Sequence, residues 1–290
     1  MVELMDRKLL KEQAAALLET AQVSPKGMTA LYLALGGALT FLGGLGENAG
    51  LLSIFLVVLT VLLSLVLDAG FVLYCMAVRR RERAEYLTLF DGFSMAGKFI
   101  LLALAKYLFI FLWSLLFVIP GIIAAYRYRF ALYNLLENPE LGVIDALNMS
   151  KQQTMGYKGQ IFMLDVSYLG WSVLASLPAC YYNQVITART QQAIAGALPY
   201  AANFGEFYNT AAASVSGTVW GMPAVVWQVI IALWALAVSL FYLPNYICVQ
   251  LDYFEAAKRS SGVGVLSPWE NGDGGTSGSY GDDGGYSGGF

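Results

Sequence analysis

The chain has 290 residues, of which 58% are hydrophobic and 13% are charged, and its net charge is -3. A soluble domain carries roughly 25% charged residues. Here the apolar residues are concentrated in long blocks, so the composition argues against a soluble fold and favours an integral membrane protein. The small net charge gives no sign of a nucleic-acid partner.

Histidine is missing from the whole chain. Catalytic devices that pair serine or cysteine with histidine are therefore excluded, as are histidine-ligated metal sites. The three cysteines, Cys75, Cys180 and Cys248, are far apart in the sequence and form no metal-binding or redox motif. We expect no enzyme activity, no cofactor and no metal.

Residues 1–26 are charged throughout and lack the apolar core of a signal peptide. Within them, Leu10, Ala14 and Leu18 recur at helical spacing, which predicts an amphipathic helix over about 2–22. Such a helix either lies on the membrane surface or packs on the protein's own cytoplasmic face. The sequence leaves both placements open.

Residues 27–259 hold the apolar blocks that predict a bundle of about six transmembrane helices. The blocks lie at about 28–45, 51–78, 99–119, 120–136, 161–181 and 223–249. The third and fourth blocks form one apolar region, which is either a single kinked helix or two spans joined at Pro120 and Gly121. Because the whole region would be ~57 Å long as one helix, nearly twice the thickness of the hydrocarbon core, two spans fit better.

The positions of the basic residues test this choice. With a hairpin at Pro120 and Gly121, every loop cation except Arg189 falls on one side of the membrane. Since cytoplasmic loops carry the excess of lysine and arginine, this side is the cytoplasm, and both termini lie there. A helix starting at Asn138 is cytoplasmic, residues 183–222 form an outer loop, and the Gly-rich residues 260–290 form a disordered tail.

Ionisable residues inside the predicted spans are the candidate site. Each costs roughly 2.5–3.5 kcal/mol near the centre of a helix in lipid, so a charge without a role is unfavourable. Counting from the cytoplasmic ends puts them ~7–17 Å above the inner boundary. We predict a buried polar network that pairs Arg127 or Arg129 with Asp165 or Asp68, and its members are Asp68, Lys106, Arg127, Arg129 and Asp165. Such a network is either a solute or ion pathway or a structural ion-pair cluster.

Several short motifs resemble the domain of unknown function 975 family of bacterial membrane proteins. The matching residues are 111–123, Tyr126 and Tyr128, 137–139, Ala146 and Ser150, Gly156 and Lys158, and 164–171. The resemblance implies a six-span protein of the bacterial plasma membrane, and it brings no reaction, substrate or cofactor. It does not extend to residues 183–222 or to the Gly-rich tail.

Two functions remain. The first is a non-enzymatic membrane protein with a role in membrane organisation, regulation or the stress response. The second is a small transporter or channel that uses the buried charges. In both, the lipid bilayer is the main partner, with a second copy of the chain or another membrane protein as a further one.

Overall fold

The computed structural model describes residues 4–44, 50–197 and 219–264, and within these ranges the chain is helical with no strand. The helices are α1 Arg7–Glu19, α2 Pro25–Gly44, α3 Leu51–Arg80, α4 Thr88–Asp91, α5 Ala96–Leu116, α6 Val118–Arg127, α7 Ala131–Glu137, α8 Val143–Gln153, α9 Lys158–Ala197 and α10 Ala224–Ser261. A 3₁₀ turn, Gly92–Met95, joins α4 to α5.

Four helical segments are long and apolar enough to cross a membrane, which confirms the helical membrane class. They are Leu51–Arg80, Thr88–Leu116, Lys158–Gly196 and Val225–Ser261. The first predicted span corresponds to α2, which has 20 residues.

The amphipathic helix α1 packs against α10. The Asp6 side chain caps its start by accepting a hydrogen bond from the amide of Lys8. Leu10, Ala14 and Leu18 are buried against the protein. Of the two placements that the sequence leaves open, the structure therefore shows α1 with its apolar face on the protein.

Exposed and buried apolar residues separate along the bundle. Large apolar side chains are exposed over much of residues 51–61, 107–119, 162–181 and 225–241, which together we call the apolar belt. Exposed apolar surface on this scale is incompatible with water and suits lipid. Most of the largest fully buried side chains lie towards the other end, on or beside α7, α8, the C-terminal parts of α3 and α10, and the start of α9. These segments, together with α1, whose buried face joins the same core, are what we call the packed body.

The predicted hairpin is present, but its turn comes earlier than expected. α5 ends at Leu116, Phe117 is extended, and α6 begins at Val118. Pro120 then falls in the first turn of α6, where its missing amide costs no hydrogen bond. A Cβ on Gly121 would lie 2.0 Å from the hydroxyl of Ser114, so glycine is needed for the close approach of the two helices.

The predicted fourth span is not continuous. α6 stops at Arg127, residues 128–130 form a turn, and α7 begins at Ala131. The prediction of one helix to about 136 was wrong. The break could not be seen in the sequence, because no glycine or proline marks it. Side chains of α8 stabilise it instead, since they bond the backbone groups that the break leaves free.

The two long helices extend further than predicted. α9 continues to Ala197, so the expected outer loop at 183–222 was wrong for residues 183–197. This segment is rich in alanine and glutamine, which favour helix once α9 has started. α10 continues to Ser261 and ends at Gly262, whose φ of 70° suits a glycine C-cap. Residues 198–218 of the predicted loop and 265–290 of the predicted tail lie outside the described residues.

Candidate functional site

Asp165 is the centre of the candidate site. Its carboxylate forms an ion pair with Arg129, whose Nη2 lies 3.3 Å from Oδ1. The phenol of Tyr246 donates to the same oxygen at 2.6 Å, and the phenol of Tyr126 donates to Oδ2 at 2.8 Å. Arg129 also donates to the Tyr246 hydroxyl at 2.5 Å. One carboxylate on α9 thus holds α6, the break after α6, and α10 together.

The break that carries Arg129 is held in place from α8. The hydroxyl of Ser150 donates to the carbonyl of Arg127 at 2.9 Å and accepts from the amide of Phe130 at 3.1 Å. Thr154 donates to the same carbonyl at 3.3 Å. Both α8 side chains are fully buried. Free backbone groups in an apolar surrounding are costly, so these bonds fix where Arg129 leaves the helical path.

Asp68 belongs to a second cluster. The phenol of Tyr32 on α2 donates to Asp68 on α3 at 2.6 Å. Asp68 and Lys106 line a small cavity of about 100 Å³ beside Leu132. Lys106 therefore lies beside Asp68, and it is also within electrostatic reach of Arg129 in the first cluster. No ion pair within 4 Å joins Lys106 to a carboxylate in the described residues.

Arg127 forms no ion pair with the carboxylate of Asp68 or of Asp165. Its guanidinium stacks over the ring of Trp113, with 5.9 Å between Cζ and the ring centroid. Its Nε is buried and has no hydrogen-bond partner. Of the pairings predicted from the sequence, the structure therefore contains Arg129 with Asp165, and it places Arg127 apart.

The candidate residues lie at one level of the bundle, between the apolar belt and the packed body. We call this level the polar layer, and it comprises Asp68, Lys106, Arg127, Arg129 and Asp165. Its tyrosine partners, Tyr32, Tyr126 and Tyr246, were missed from the sequence. A tyrosine inside an apolar block is the only signal for them, and the chain has 18 tyrosines.

Two further polar groups lie in the packed body. Glu137 at the end of α7 accepts from Arg80 at 2.8 Å and from Lys258 at 2.5 Å, and Arg79 pairs with Asp252 at 3.1 Å. These ion pairs join the C-terminal ends of α3, α7 and α10. Asn134 and Gln153 exchange two hydrogen bonds of 2.8 Å between α7 and α8.

The α1 helix adds a cation beside the polar layer. The ammonium of Lys11 lies 4.1 Å from the centroid of the Tyr168 ring. Burial, and to a smaller extent repulsion from Arg7, lowers the pKa of Lys11. Asn245 on α10 donates to the Lys11 carbonyl at 3.0 Å, which holds α1 against α10.

Chemically, the arrangement consists of hydrogen bonds and ion pairs that hold helices together. Within the described residues, no group of three or more acidic or cysteine side chains is arranged to hold a metal ion. Cys75 and Cys248 are both buried and free, and they lie near each other in the packed body. The carboxylate of Asp165 accepts hydrogen bonds from three side chains, those of Tyr126, Arg129 and Tyr246.

The chain matches the model of a known protein family. The model of a family described as "Protein of unknown function (DUF975)" matches residues 114–259. The chain belongs to the DUF975 family. The resemblance seen in the sequence is thereby confirmed over half of the chain, from the tip of the α5–α6 hairpin to the end of α10. No curated protein and no solved structure matches the chain.

The matched part of this DUF975 protein contains Arg127, Arg129 and Asp165, together with the α8 side chains that hold the break. Asp68 and Lys106 lie before it. The ion pair of Arg129 with Asp165 is thus complete within the family region, whereas the cluster around Asp68 is not.

Proposed function

We propose that this DUF975 protein is a non-enzymatic organiser of a bacterial plasma membrane, with its polar layer acting as a structural tie. The observation that carries the proposal is the use of Asp165, which receives hydrogen bonds from Tyr126, Arg129 and Tyr246. A carboxylate with three protein partners contributes to helix packing and is poorly placed to exchange solute. No cofactor is required for such a role.

The proposed topology has both termini in the cytoplasm. α2, α3, α9 and α10 cross the membrane, and α5 and α6 enter it as a pair, so six helices are inserted. The ion pairs of Glu137 join the ends of α3, α7 and α10, next to the basic residues that follow Val78. Basic residues concentrate on the cytoplasmic side, which supports placing the packed body there.

Lipid is the proposed partner of the apolar belt. The belt leaves large side chains exposed on α3, α5, α9 and α10, and lipid chains would cover them. A second copy of the chain, or another membrane protein, would cover part of the same surface. Nothing in the fold calls for nucleic acid.

Reconstitution in liposomes tests the organising role. We expect proton and small-solute fluxes no larger than in empty liposomes, together with a change in lipid order reported by a polarity-sensitive membrane dye. The matched control is Asp165→Asn protein, which should change lipid order less because its helices are held less firmly. A saturable flux that Asp165→Asn abolishes would contradict the proposal.

A transporter is the second candidate, and the helix break after α6 favours it. Broken helices line the binding sites of many transporters, where free backbone groups and charges face the substrate. Here the break carries Arg129, and the buried Nε of Arg127 has no partner. Flux that is lost in Arg129→Gln but kept in Lys151→Gln, an exposed cation on α8, would support this alternative.

A further inference from the structure

The α5–α6 hairpin reaches less far from the polar layer than its neighbours. The helix between Lys106 and Phe117, where the chain turns, is ~16 Å long. The corresponding lengths are ~25 Å for α3, from Asp68 back to Leu51, and ~33 Å for α10, from Tyr246 back to Ala224. A hydrocarbon core is ~30 Å thick, so the part of the hairpin beyond the polar layer covers about half of it, although Thr88–Leu116 as a whole is long enough to cross.

The tip of the hairpin has the composition of a buried membrane segment. Residues 115–119 are all large and apolar, and Phe117 and Val118 are 75% and 74% exposed. At the turn, the amide of Phe117 donates to the carbonyl of Trp113 and the carbonyl of Phe117 accepts from the amide of Gly121, so both backbone groups of Phe117 are bonded within the hairpin. The nearby hydroxyl of Ser114 bonds to the carbonyl of Ile110. The tip therefore suits hydrocarbon.

Two unpaired cations lie at the foot of this hairpin. Arg127 at the end of α6 and Lys158 at the start of α9 lie at the same end of the hairpin, because Thr154, four residues before Lys158, donates to the carbonyl of Arg127 at 3.3 Å. The two positive charges repel each other. Within the described residues, neither side chain forms an ion pair with a carboxylate. The positive end of the α9 dipole adds to the positive potential of the two cations. The first turn of α9 contains no acidic residue that would offset it. This site is positive and has no anion of its own.

We infer that α5 and α6 form a re-entrant hairpin in the inner leaflet, and that Arg127 and Lys158 at its foot bind the phosphate of an anionic phospholipid. Arginine and lysine are the natural partners of a phosphate. Trp113 flanks the guanidinium of Arg127 and is 41% exposed, so a lipid chain lies along it. Anionic headgroups are favoured over choline headgroups because choline would add a third positive charge.

The inference rests on the proposed orientation, with the foot of the hairpin at the cytoplasmic surface. Because α6 ends at Arg127 and α7 belongs to the packed body, the foot lies at the inner boundary and not the ~7–17 Å above it that the sequence predicted. It names a lipid partner for the proposed organising role, but its test does not depend on that role. If lipid binding failed, the flux and lipid-order experiments would still test the organising role. If a flux contradicted the organising role, the retention experiment would still test the lipid site.

The first experiment measures lipid retention. The full chain is purified in detergent with equal amounts of phosphatidylglycerol and phosphatidylcholine, and retained lipids are counted by native mass spectrometry. We expect phosphatidylglycerol to be retained by the wild type and by Lys151→Gln, which removes an exposed cation of α8. Retention should fall about tenfold in Lys158→Gln and further in Arg127→Gln.

Lys158→Gln is the decisive variant, because Lys158 is partly exposed and contributes no hydrogen bond from its side chain to the fold in the described residues. Equal retention by Lys158→Gln and Lys151→Gln would overturn the site. So would equal retention of phosphatidylcholine. Displacement of the lipid by excess inorganic phosphate would show a free-phosphate site and would also overturn the lipid assignment.

The second experiment measures the depth of the hairpin. Phe117→Cys is made in a Cys180→Ser background, so that the two remaining cysteines are buried. In right-side-out vesicles, a membrane-impermeant maleimide should leave Phe117→Cys unlabelled while it labels Cys180 of the wild type. Labelling of Phe117→Cys from outside would show a full crossing and would overturn the re-entrant hairpin.

Discussion

The phenol of Tyr246 donates a hydrogen bond of 2.6 Å to the carboxylate of Asp165, and this bond joins the two long helices α9 and α10 at the polar layer. The same phenol accepts from Arg129, so it bridges the two ends of the ion pair. A tyrosine in this position forms a hydrogen bond with each of the two charged groups. The ion pair is therefore part of the packing between helices rather than an isolated contact.

Removing the charge of Asp165 should destabilise the protein. Asp165→Asn leaves an oxygen for the tyrosines but no counter-charge for Arg129, which lies in a largely apolar surrounding. We expect a loss of about 2 kcal/mol, seen as a lower melting temperature in detergent by a thiol-independent unfolding assay. Asp91→Asn, which changes an exposed aspartate of α4, is the matched control and should leave the melting temperature unchanged.

The helix break should depend on Ser150. Ser150→Ala leaves the amide of Phe130 without a partner, whereas the carbonyl of Arg127 keeps its weaker bond from Thr154. An orphaned amide in a buried position costs about 1–3 kcal/mol, and we expect a melting temperature lower by several degrees. Ser176→Ala is the control, since that serine is exposed on α9 and bonds only within its own helix. Equal melting temperatures for the two variants would contradict the assigned role of Ser150.

The sequence predicted the membrane class, the apolar blocks and the pairing of α5 with α6, because these follow from hydropathy and from the sorting of basic residues. It also predicted that Arg127 or Arg129 would pair with Asp165 or Asp68. Spacing along the chain could not choose between the two arginines, since they are two residues apart near the middle of the same block. The choice depends on the break at 128–130, which turns Arg129 towards α9 and leaves Arg127 towards Trp113.

The break itself could not be predicted from local sequence. Residues 126–132 contain no glycine or proline, and a helix is their intrinsic preference. The interactions that end α6 come from Ser150 and Thr154, more than 20 residues away. The extension of α9 beyond Tyr181 escaped prediction for another reason: small and polar residues suit both a loop and a solvated helix, and only the preceding turns decide between them.

Close packing of α3 on the segment after it should make Gly70 intolerant of a side chain. A Cβ at this position would lie 1.9 Å from the backbone oxygen of Leu89, which cannot move aside as a side chain would. We expect Gly70→Ala to cost about 2–3 kcal/mol. Gly170→Ala is the matched control, because Gly170 also lies inside a helix and has open space around it. That variant should be neutral or stabilising by about 0.5–1 kcal/mol, from the higher helix propensity of alanine.

Thiol labelling should distinguish the cysteines by both side and burial. Cys180 is exposed near the outer end of the apolar belt, whereas Cys75 and Cys248 are buried in the packed body. A membrane-impermeant maleimide added outside intact cells should therefore label Cys180 and neither of the others. Denaturation in detergent should allow all three cysteines to be labelled. This control shows that each thiol can react with the maleimide once it is accessible. Labelling of Cys180 only from inside-out vesicles would reverse the proposed orientation, since α9 carries this residue on the side opposite the ion pairs of Glu137.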